Sequence, residues 1–408
     1  MPAVALSRAG ARVAGSGPGG EDLAAGTWQR LEALPDPRSP QGRIYPLPCL
    51  IAIAVCAFTA AGNDRLTAVG QWASQADLAR LRAPWDPVTG RYRAPDEKTI
   101  RVVLDRLDPR ALTRALLGPR RRRRRGRSPA GVRDYPARRA AQEAKALARG
   151  RLRAVAVDGK TSRGARRADG TRVHLLGVAE HGGRLLDHLE VGIKHNEDQP
   201  LHPPAGTPGP GRRRGDLRCP AHGAGEPGLA DWAEESPVHR RREENQPLLH
   251  ARIKALPWRQ VPAGSLTRDT GHGRLETRTL KTAHVRGLGF AGARQAIKIT
   301  RWRQDTATGK TSRETIYAIT SLTSAQATAA DLARLVREHW SIEAHHHIRD
   351  VTFTEDTATS RTGNGPANLA TIRAAIIAAI KDAGYLHVPE GRRDHTTPAD
   401  ALCLHSLN

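Results

Sequence analysis

Several residue types are scarce in this sequence, and each shortage excludes a class of protein. The 408 residues include four cysteines, one methionine, three phenylalanines and nine lysines. The cysteines form neither a C-x-x-C pair nor a dense framework, which excludes a disulfide-stabilised scaffold and favours a reduced, cytoplasmic protein. Hydrophobic residues make up 38% of the chain, so a fully disordered polypeptide is excluded as well.

Long apolar runs are also lacking. The most apolar stretch, residues 47–61, has about 15 residues, whereas a membrane-spanning helix needs roughly 20, so it predicts a buried helix instead. Residues 1–26 are rich in glycine, alanine and serine and contain no apolar segment typical of a secretory signal. We expect this N-terminal segment to be disordered, and we expect no association with a membrane.

Acidic residues are outnumbered by basic ones. The chain has 65 Lys and Arg against 41 Asp and Glu, and the resulting net charge of +24 attracts polyanions. Residues 114–167 hold 19 basic and three acidic residues, including an unbroken arginine run from Arg120 to Arg125. We interpret this run as an arm that contacts phosphates, beginning with Arg120, Arg121 and Arg122. The alternative is a solvated linker whose charges only repel one another.

The periodicity of apolar residues divides the chain into a helical part and a mixed part. Amphipathic helices are predicted over residues 68–81 and 99–107, and Asp96 is placed to cap the second of them. The predicted order is a disordered N-terminus (1–26), a helical domain (27–112), a basic linker (113–151), an α/β domain (152–385) and a C-terminal tail (386–408).

The α/β segment opens with three alternating stretches that predict consecutive antiparallel strands. They cover residues 152–157, 172–179 and 185–193, and Asp158 follows the first of them. An acidic residue in this position suggests an RNase H-like core, although a turn role for Asp158 is the alternative. The sequence therefore predicts an α/β fold with an RNase H-like core and an all-helical N-terminal domain.

A series of short motifs runs through residues 30–385 in a fixed order. They include Asp36-Pro-Arg-Ser-Pro-Gln-Gly-Arg-Ile-Tyr-Pro-Leu47, Ala156-Val-Asp-Gly-Lys-Thr-Ser-Arg-Gly164, His174-Leu-Leu-Gly-Val178, Lys194-His-Asn-Glu197, Glu244-Asn-Gln-Pro247, Gly271-His-Gly-Arg-Leu-Glu-Thr-Arg278, His339-Trp-Ser-Ile-Glu-Ala-His-His-His-Ile-Arg-Asp-Val351 and Arg361-Thr-Gly-Asn-Gly-Pro-Ala-Asn368. With these motifs the chain resembles bacterial insertion-sequence transposases of the DDE type, in the branch that includes H-repeat-associated proteins.

The resemblance implies a catalytic core similar to that of retroviral integrases. In such enzymes three carboxylates hold two Mg²⁺ ions, one of which activates water or a 3′-OH while the other stabilises the leaving oxygen. The resemblance assigns Asp158 as the first carboxylate and Glu343 as the last, both as catalytic and metal-binding residues. Basic or polar residues near these two are candidate nucleic-acid contacts, namely Lys160, Arg163, His339 and Arg349.

One part of the pattern around Glu343 departs from related transposases. They commonly have Arg four residues before this glutamate and Lys seven after it, where this chain has His339 and Asp350. Four histidines, His339 and residues 345–347, lie on one long helix that the sequence predicts over residues 325–348. They lack the H-E-x-x-H spacing of a zinc site, so a DNA contact or an exposed helix surface is the favoured interpretation.

The second carboxylate is missing from the pattern. By resemblance it ends a fourth strand near residues 210–225, but neither Asp216 nor Asp231 follows an apolar strand. The 56 arginines against nine lysines indicate a G/C-rich gene. Read one nucleotide out of phase with G/C-favoured codons, residues 198–243 give an amphipathic helix and an Ala/Val-rich strand that ends in Asp. We interpret this segment as lying between two compensating frameshifts; the alternative is a genuine insertion in a working enzyme.

The sequence thus predicts an insertion-sequence DNA transposase whose Mg²⁺-dependent strand cleavage and transfer is impaired by loss of the second Asp. Its expected partners are double-stranded DNA, at the element's terminal repeats and at the target, and a second copy of the chain in a paired-end complex. The expected location is the bacterial cytoplasm, in association with the nucleoid. A non-enzymatic DNA-binding remnant and a plain nuclease are the alternatives, and the absence of a Walker A motif or a Rossmann fingerprint gives no support to nucleotide-driven chemistry.

Overall fold

The structure, a computed structural model, describes residues 3–7, 26–118, 153–181, 184–191, 238–241, 247–271, 273–288 and 293–407. The helices in these ranges are α1 (Thr27–Glu32), α2 (Leu47–Thr59), α3 (Leu66–Gln75), α4 (Glu97–Arg106), α5 (Pro109–Leu117), α6 (Pro247–Lys254), α7 (Ala329–Thr352), α8 (Gly365–Asp382), α9 (Val388–Asp394) and α10 (Pro398–His405). The strands are β1 (Ala3–Ser7), β2 (Trp85–Asp86), β3 (Arg91–Tyr92), β4 (Arg153–Arg166), β5 (Arg172–Glu180), β6 (Leu185–Val191), β7 (Val238–Arg241), β8 (Ser265–Gly271), β9 (Arg274–His284), β10 (Gln295–Asp305) and β11 (Thr311–Thr320).

The apolar run of the N-terminal half forms α2, the centre of the helical part. Every residue of this helix except Pro48 is buried, which confirms the buried helix predicted from the sequence. The Asp96 carboxylate accepts a hydrogen bond from the Thr99 backbone N–H at 2.7 Å, so the predicted cap of α4 is confirmed. α3 ends earlier than predicted because Asp77 begins a separate turn, in which its carbonyl accepts from the Leu81 N–H.

The C-terminal segment, predicted to be a tail, is helical and belongs to the core. Ala401 and Leu402 of α10 are fully buried in the same cluster as α2. On α9, the Arg392 guanidinium donates to the backbone carbonyls of Phe58 and Ala60, which satisfies acceptors exposed at the end of α2. The helices are only seven and eight residues long, so their apolar spacing was too short to reveal them in the sequence.

The main sheet has the strand order β6-β5-β4-β1-β7-β11-β10-β9-β8, with antiparallel neighbours. The three predicted antiparallel strands at the start of the α/β segment are present as β4, β5 and β6. Asp158, however, lies inside β4 rather than at its end. The following Gly159 does not turn the chain because β5 continues the pairing, with Asp158 opposite Gly177 and Gly159 opposite Leu176.

Two short strands that the sequence did not reveal stand at the centre of this sheet. β1 pairs with β4, where Ala3 is opposite Val157, and also with β7, which in turn pairs with β11. β1 corrects the expectation that residues 1–26 are disordered throughout, since backbone pairing orders these five residues. β7 lies within the anomalous segment 198–243, whose other residues are outside the described part of the chain.

The helical part and the sheet are not separate bodies, because one hydrophobic cluster includes both. Ala156, Ala179 and Ile342 join the side chains of α2–α5 in this cluster. On α8, the Asn368 side-chain amide donates to the backbone carbonyls of Leu104 (2.7 Å) and Leu107 at the end of α4. The mixed helix-and-sheet architecture is therefore as predicted, while its assignment as RNase H-like stays a prediction. Within the described residues, no helix combines the length and the hydropathy needed to cross a membrane.

Candidate active site

The candidate site forms where α7 packs on β4 and β5. A capping box between Thr328 and Asp331 starts the helix, and the fully buried Ile342 fixes its middle against the sheet. Gly177, opposite Asp158, allows this close approach: a Cβ there would lie 3.2 Å from Leu185 Cδ1 and 3.9 Å from Ile342 Cδ1. The helix that carries Glu343 thus lies directly over the strand that carries Asp158.

Asp158 contacts this helix through a histidine. Nδ1 of His346 lies 3.3 Å from Oδ2 of Asp158, and the two side chains are only 12% and 13% exposed. Glu343, which is half-buried, precedes His346 by three residues and so shares its side of α7. The two carboxylates singled out in the sequence are therefore on adjoining elements, with an imidazole that orients the first of them.

Lys160, predicted to contact phosphate, is instead a buried structural cation. Its side chain is 7% exposed, and Nζ lies 2.5 Å from Oδ1 of Asp350 and 3.4 Å from Oδ1 of Asp356. The ammonium thereby joins β4 to the end of α7 and to the 3₁₀ turn Glu355–Thr357. A buried ammonium already held by two carboxylates cannot also bind a DNA backbone, so the structure corrects this expectation.

The prediction that Arg349 contacts DNA is corrected for the same reason. The guanidinium is buried and donates two hydrogen bonds to Glu355, whose Oε2 also lies 3.3 Å from Nη1 of Arg373. Burial alone would raise the pKa of Glu355, but the two arginines outweigh it and lower that pKa to about 2. This triad fixes the chain reversal after α7, and its three side chains are all buried.

The histidines of α7 divide into buried and exposed ones. Burial and, to a smaller extent, the nearby His181 lower the pKa of His339 to about 4, so the ring is neutral at pH 7. Neither ring nitrogen of His339 has a hydrogen-bond partner among the described residues, and the same holds for the fully buried His345. His339 is therefore not an exposed DNA contact, which corrects that prediction; His347, in contrast, is exposed.

Arg163 is the predicted contact that the structure leaves at the surface. Its side chain is 78% exposed and its Nε lies 3.5 Å from Oδ2 of Asp356. The next residue, Gly164, lets β4 approach the loop after α7, since a Cβ there would lie 2.3 Å from the Ala358 carbonyl oxygen. Arg120, Arg121 and Arg122 lie outside the described residues.

The described residues do not provide the three carboxylates that a site for two Mg²⁺ ions requires. On one side of β4 the sheet continues through β1 (Ala-Val-Ala-Leu-Ser) and β7 (Val-His-Arg-Arg), and neither strand contains a carboxylate. Across the described ranges, no three His, Cys, Asp or Glu side chains are grouped as metal ligands would be. The predicted assignment of Asp158 and Glu343 as metal ligands therefore stays a prediction, and the expected position of the third carboxylate, near residues 210–225, falls outside these ranges.

Two components of this region were not predicted from the sequence. The role of His346 could have been inferred, because three residues separate it from Glu343 on a helix and place both on one side. The pairing of Lys160 with Asp350 and Asp356 had no such signal, because about 190 residues of chain separate the partners.

Comparison with known proteins gives one match. A family model described as DDE_Tnp_1-associated matches residues 28–118, which contain α1–α5 and less than a quarter of the chain. No curated protein and no solved structure matches the chain. The match at residues 28–118 supports a relationship between this chain and DDE transposases.

Proposed function

We propose that the chain is an insertion-sequence DNA transposase with an RNase H-like core, whose reaction is strand cleavage and transfer at the ends of its element. The observation that carries this proposal is the packing of Asp158 against α7, the helix of Glu343, through the 3.3 Å contact with His346. The family match at residues 28–118 and the net charge of +24 support it from independent directions.

Each of the chain's own residues at such a site has a separate role. Asp158 and Glu343 are the carboxylates, and Mg²⁺ is the ion that an intact set of this kind takes, because this hard cation prefers carboxylate oxygens. His346 holds the Asp158 carboxylate in place. Arg163, exposed on the same strand, is available to a phosphate of bound DNA.

We propose further that cleavage by this copy is impaired. The central positions of the sheet next to β4 are held by β1 and β7, which supply no carboxylate beside Asp158. Two carboxylates leave a two-metal site short of ligands. The same observation favours a second candidate function, a non-enzymatic DNA-binding remnant of a decayed element. In both cases the partner is duplex DNA in the bacterial cytoplasm. A transposase that joins the two ends of its element acts as a dimer.

Mg²⁺-dependent nicking tests this proposal. The full-length chain is incubated with supercoiled plasmid that carries the DNA flanking its gene, alongside the Asp158→Ala variant. The proposal predicts binding of the plasmid and no more nicking by the native chain than by the variant. Nicking that Asp158→Ala abolishes would show a working site and contradict the impairment. Absence of any DNA binding would contradict both candidate functions.

A further inference from the structure

The sheet segment β8–β11 has two faces of different charge. Side chains alternate along a strand, and the pairing from β8 to β11 has no register shift, so each residue can be assigned to a face. The inner face, which contains Leu280 and Ile299 and packs on α7, carries all four acidic residues of these strands. They are Asp269, Glu276, Asp305 and Glu314.

Ion pairs neutralise most of the inner face. Four arginines share it with the four acids, which gives a net charge of zero. Nε of Arg303 lies 2.7 Å from Oε2 of Glu276, and Arg301 contacts Glu314. From α7, Nη1 of Arg337 lies 2.9 Å from Oδ2 of Asp269.

The opposite, outer face contains no acidic residue and four basic ones. One row across the four strands reads Arg268, Thr277, Trp302 and Arg313, from the paired positions of the register. Lys281 and Lys298 are paired in a second row, four residues further along their strands and therefore about 13 Å away. The net charge of the outer face is +4, against zero on the inner face.

The two arginines of the outer face are accessible, whereas its two lysines are only partly exposed. Arg268 and Arg313 are exposed and neither forms an ion pair with another described residue, Lys298 and Trp302 are partly exposed, and Nζ of Lys281 donates a hydrogen bond to the Trp258 carbonyl at 2.7 Å. Helix α6 and the segment after it, which includes Trp258, cover the end of this face near Tyr317 and Ile319. Hydroxyl groups, like arginine and lysine, are common donors to phosphate oxygens, and this face also contains Thr270, Thr279, Thr300, Thr311 and Thr315.

We propose that the outer face of β8–β11 binds duplex DNA through its phosphates, with Arg268 and Arg313 as the principal contacts. The inference rests on the proposed function, since it takes DNA as the partner. Charge complementarity argues for this occupant: an acid-free row of exposed arginines and hydroxyl groups suits a polyanion, whereas the inner face is already neutralised by its own acids. The face is separate from Asp158 and adds DNA contacts on β8–β11, away from the candidate site.

Salt-dependent binding of the full-length chain tests the proposal. The affinity for a fluorescent duplex of about 30 base pairs is measured over a series of salt concentrations for the native chain and for Arg268→Gln/Arg313→Gln. The matched control is Arg274→Gln/Arg337→Gln, which removes an exposed inner-face arginine and an arginine of α7 paired with that face. Thermal unfolding of each variant shows that the fold is retained.

We expect the outer-face variant to bind about tenfold or more weakly at about 100 mM salt, with a salt slope smaller by about 2, one for each lost phosphate contact. The control pair is expected to keep the native slope. Equal effects of the two pairs, or no effect of the outer pair on a native chain that binds DNA, would overturn the inference and leave the proposed function standing. Binding to anionic lipid vesicles is measured in parallel. If the outer-face variant lost vesicle binding while its DNA binding stayed unchanged, the inference would be overturned in favour of a membrane surface. A native chain that fails to bind duplex DNA contradicts the proposed function itself.

Discussion

Lys160 and Asp350 form a partly buried contact, 2.5 Å between Nζ and Oδ1, that ties the strand of Asp158 to the helix of Glu343. Both residues lie in motifs that support the resemblance to DDE transposases. Their pairing explains why an acidic residue stands seven positions after Glu343. Asp350 contributes to the region by fixing the angle between β4 and α7 rather than by meeting DNA.

Loss of this cation destabilises the fold. Lys160→Met leaves Asp350 and Asp356 without their buried partner, and we expect the free energy of unfolding to fall by about 2–4 kcal/mol, since both carboxylates are only partly buried. Urea titration measures it. The control is Arg163→Met on the same strand, whose exposed side chain predicts a change within about 0.5 kcal/mol. Equal effects of the two substitutions would contradict the structural role of Lys160.

The C-terminal helices are expected to be essential to the helical core. Arg392→Ala removes donors to the carbonyls of Phe58 and Ala60 and to Asp64, and we expect a loss of about 3 kcal/mol because these acceptors stay partly buried. Arg393→Ala, an exposed neighbour on α9, is the matched control and should change stability little. Urea unfolding compares the two. If Arg392→Ala were as stable as the control, the hydrogen bonds from Arg392 on α9 to the end of α2 would not contribute to stability as described.

Because buried histidines are neutral in the folded chain, we expect the stability of the fold to decrease in acid. Burial lowers the pKa of His339 from its usual 6.5 to about 4, and that of His188 to about 3. Between pH 6.5 and 4 the unfolded chain therefore binds more protons at these sites, so the stabilisation is complete above pH 6.5 and is lost as the pH falls. His339→Phe should flatten the decline of Tm over this range. A control, His347→Phe at the exposed position, should leave the decline unchanged; identical profiles for the two variants would contradict the burial of His339.

The nucleotide sequence of the gene offers a direct check of the anomalous segment. If residues 198–243 are out of frame, the shifted phase across codons 195–247 contains no stop codon and encodes a patterned segment. An aspartate codon then straddles the codons of Arg218 and Cys219, with GA ending the first and T beginning the second. A shifted phase interrupted by stop codons would contradict the frameshift interpretation.

The sequence revealed those elements that have a long or strong periodicity. The apolar run of α2, the alternation of β4–β6 and the length of α7 each produce a pattern within a few turns or strand positions. β1 and β7 did not, because a strand of four or five residues is defined by the neighbours with which it pairs. The resemblance singled out Asp158 and Glu343 as candidates, but residue type could not distinguish an exposed Arg163 from a buried Arg349. That difference depends on Glu355 and Arg373, which only folding brings together.

Nicking by a chain in which residues 198–243 are replaced by their out-of-phase reading decides whether the loss of a carboxylate impairs this protein. We expect this chain to restore Mg²⁺-dependent nicking of plasmid carrying the flanking DNA, and Asp158→Ala or Glu343→Gln in the restored chain to abolish it. A restored chain that unfolds cooperatively and binds the DNA, yet makes no nicks or nicks equally well without Asp158, would contradict the claim that this protein derives from a DDE transposase impaired at its second carboxylate.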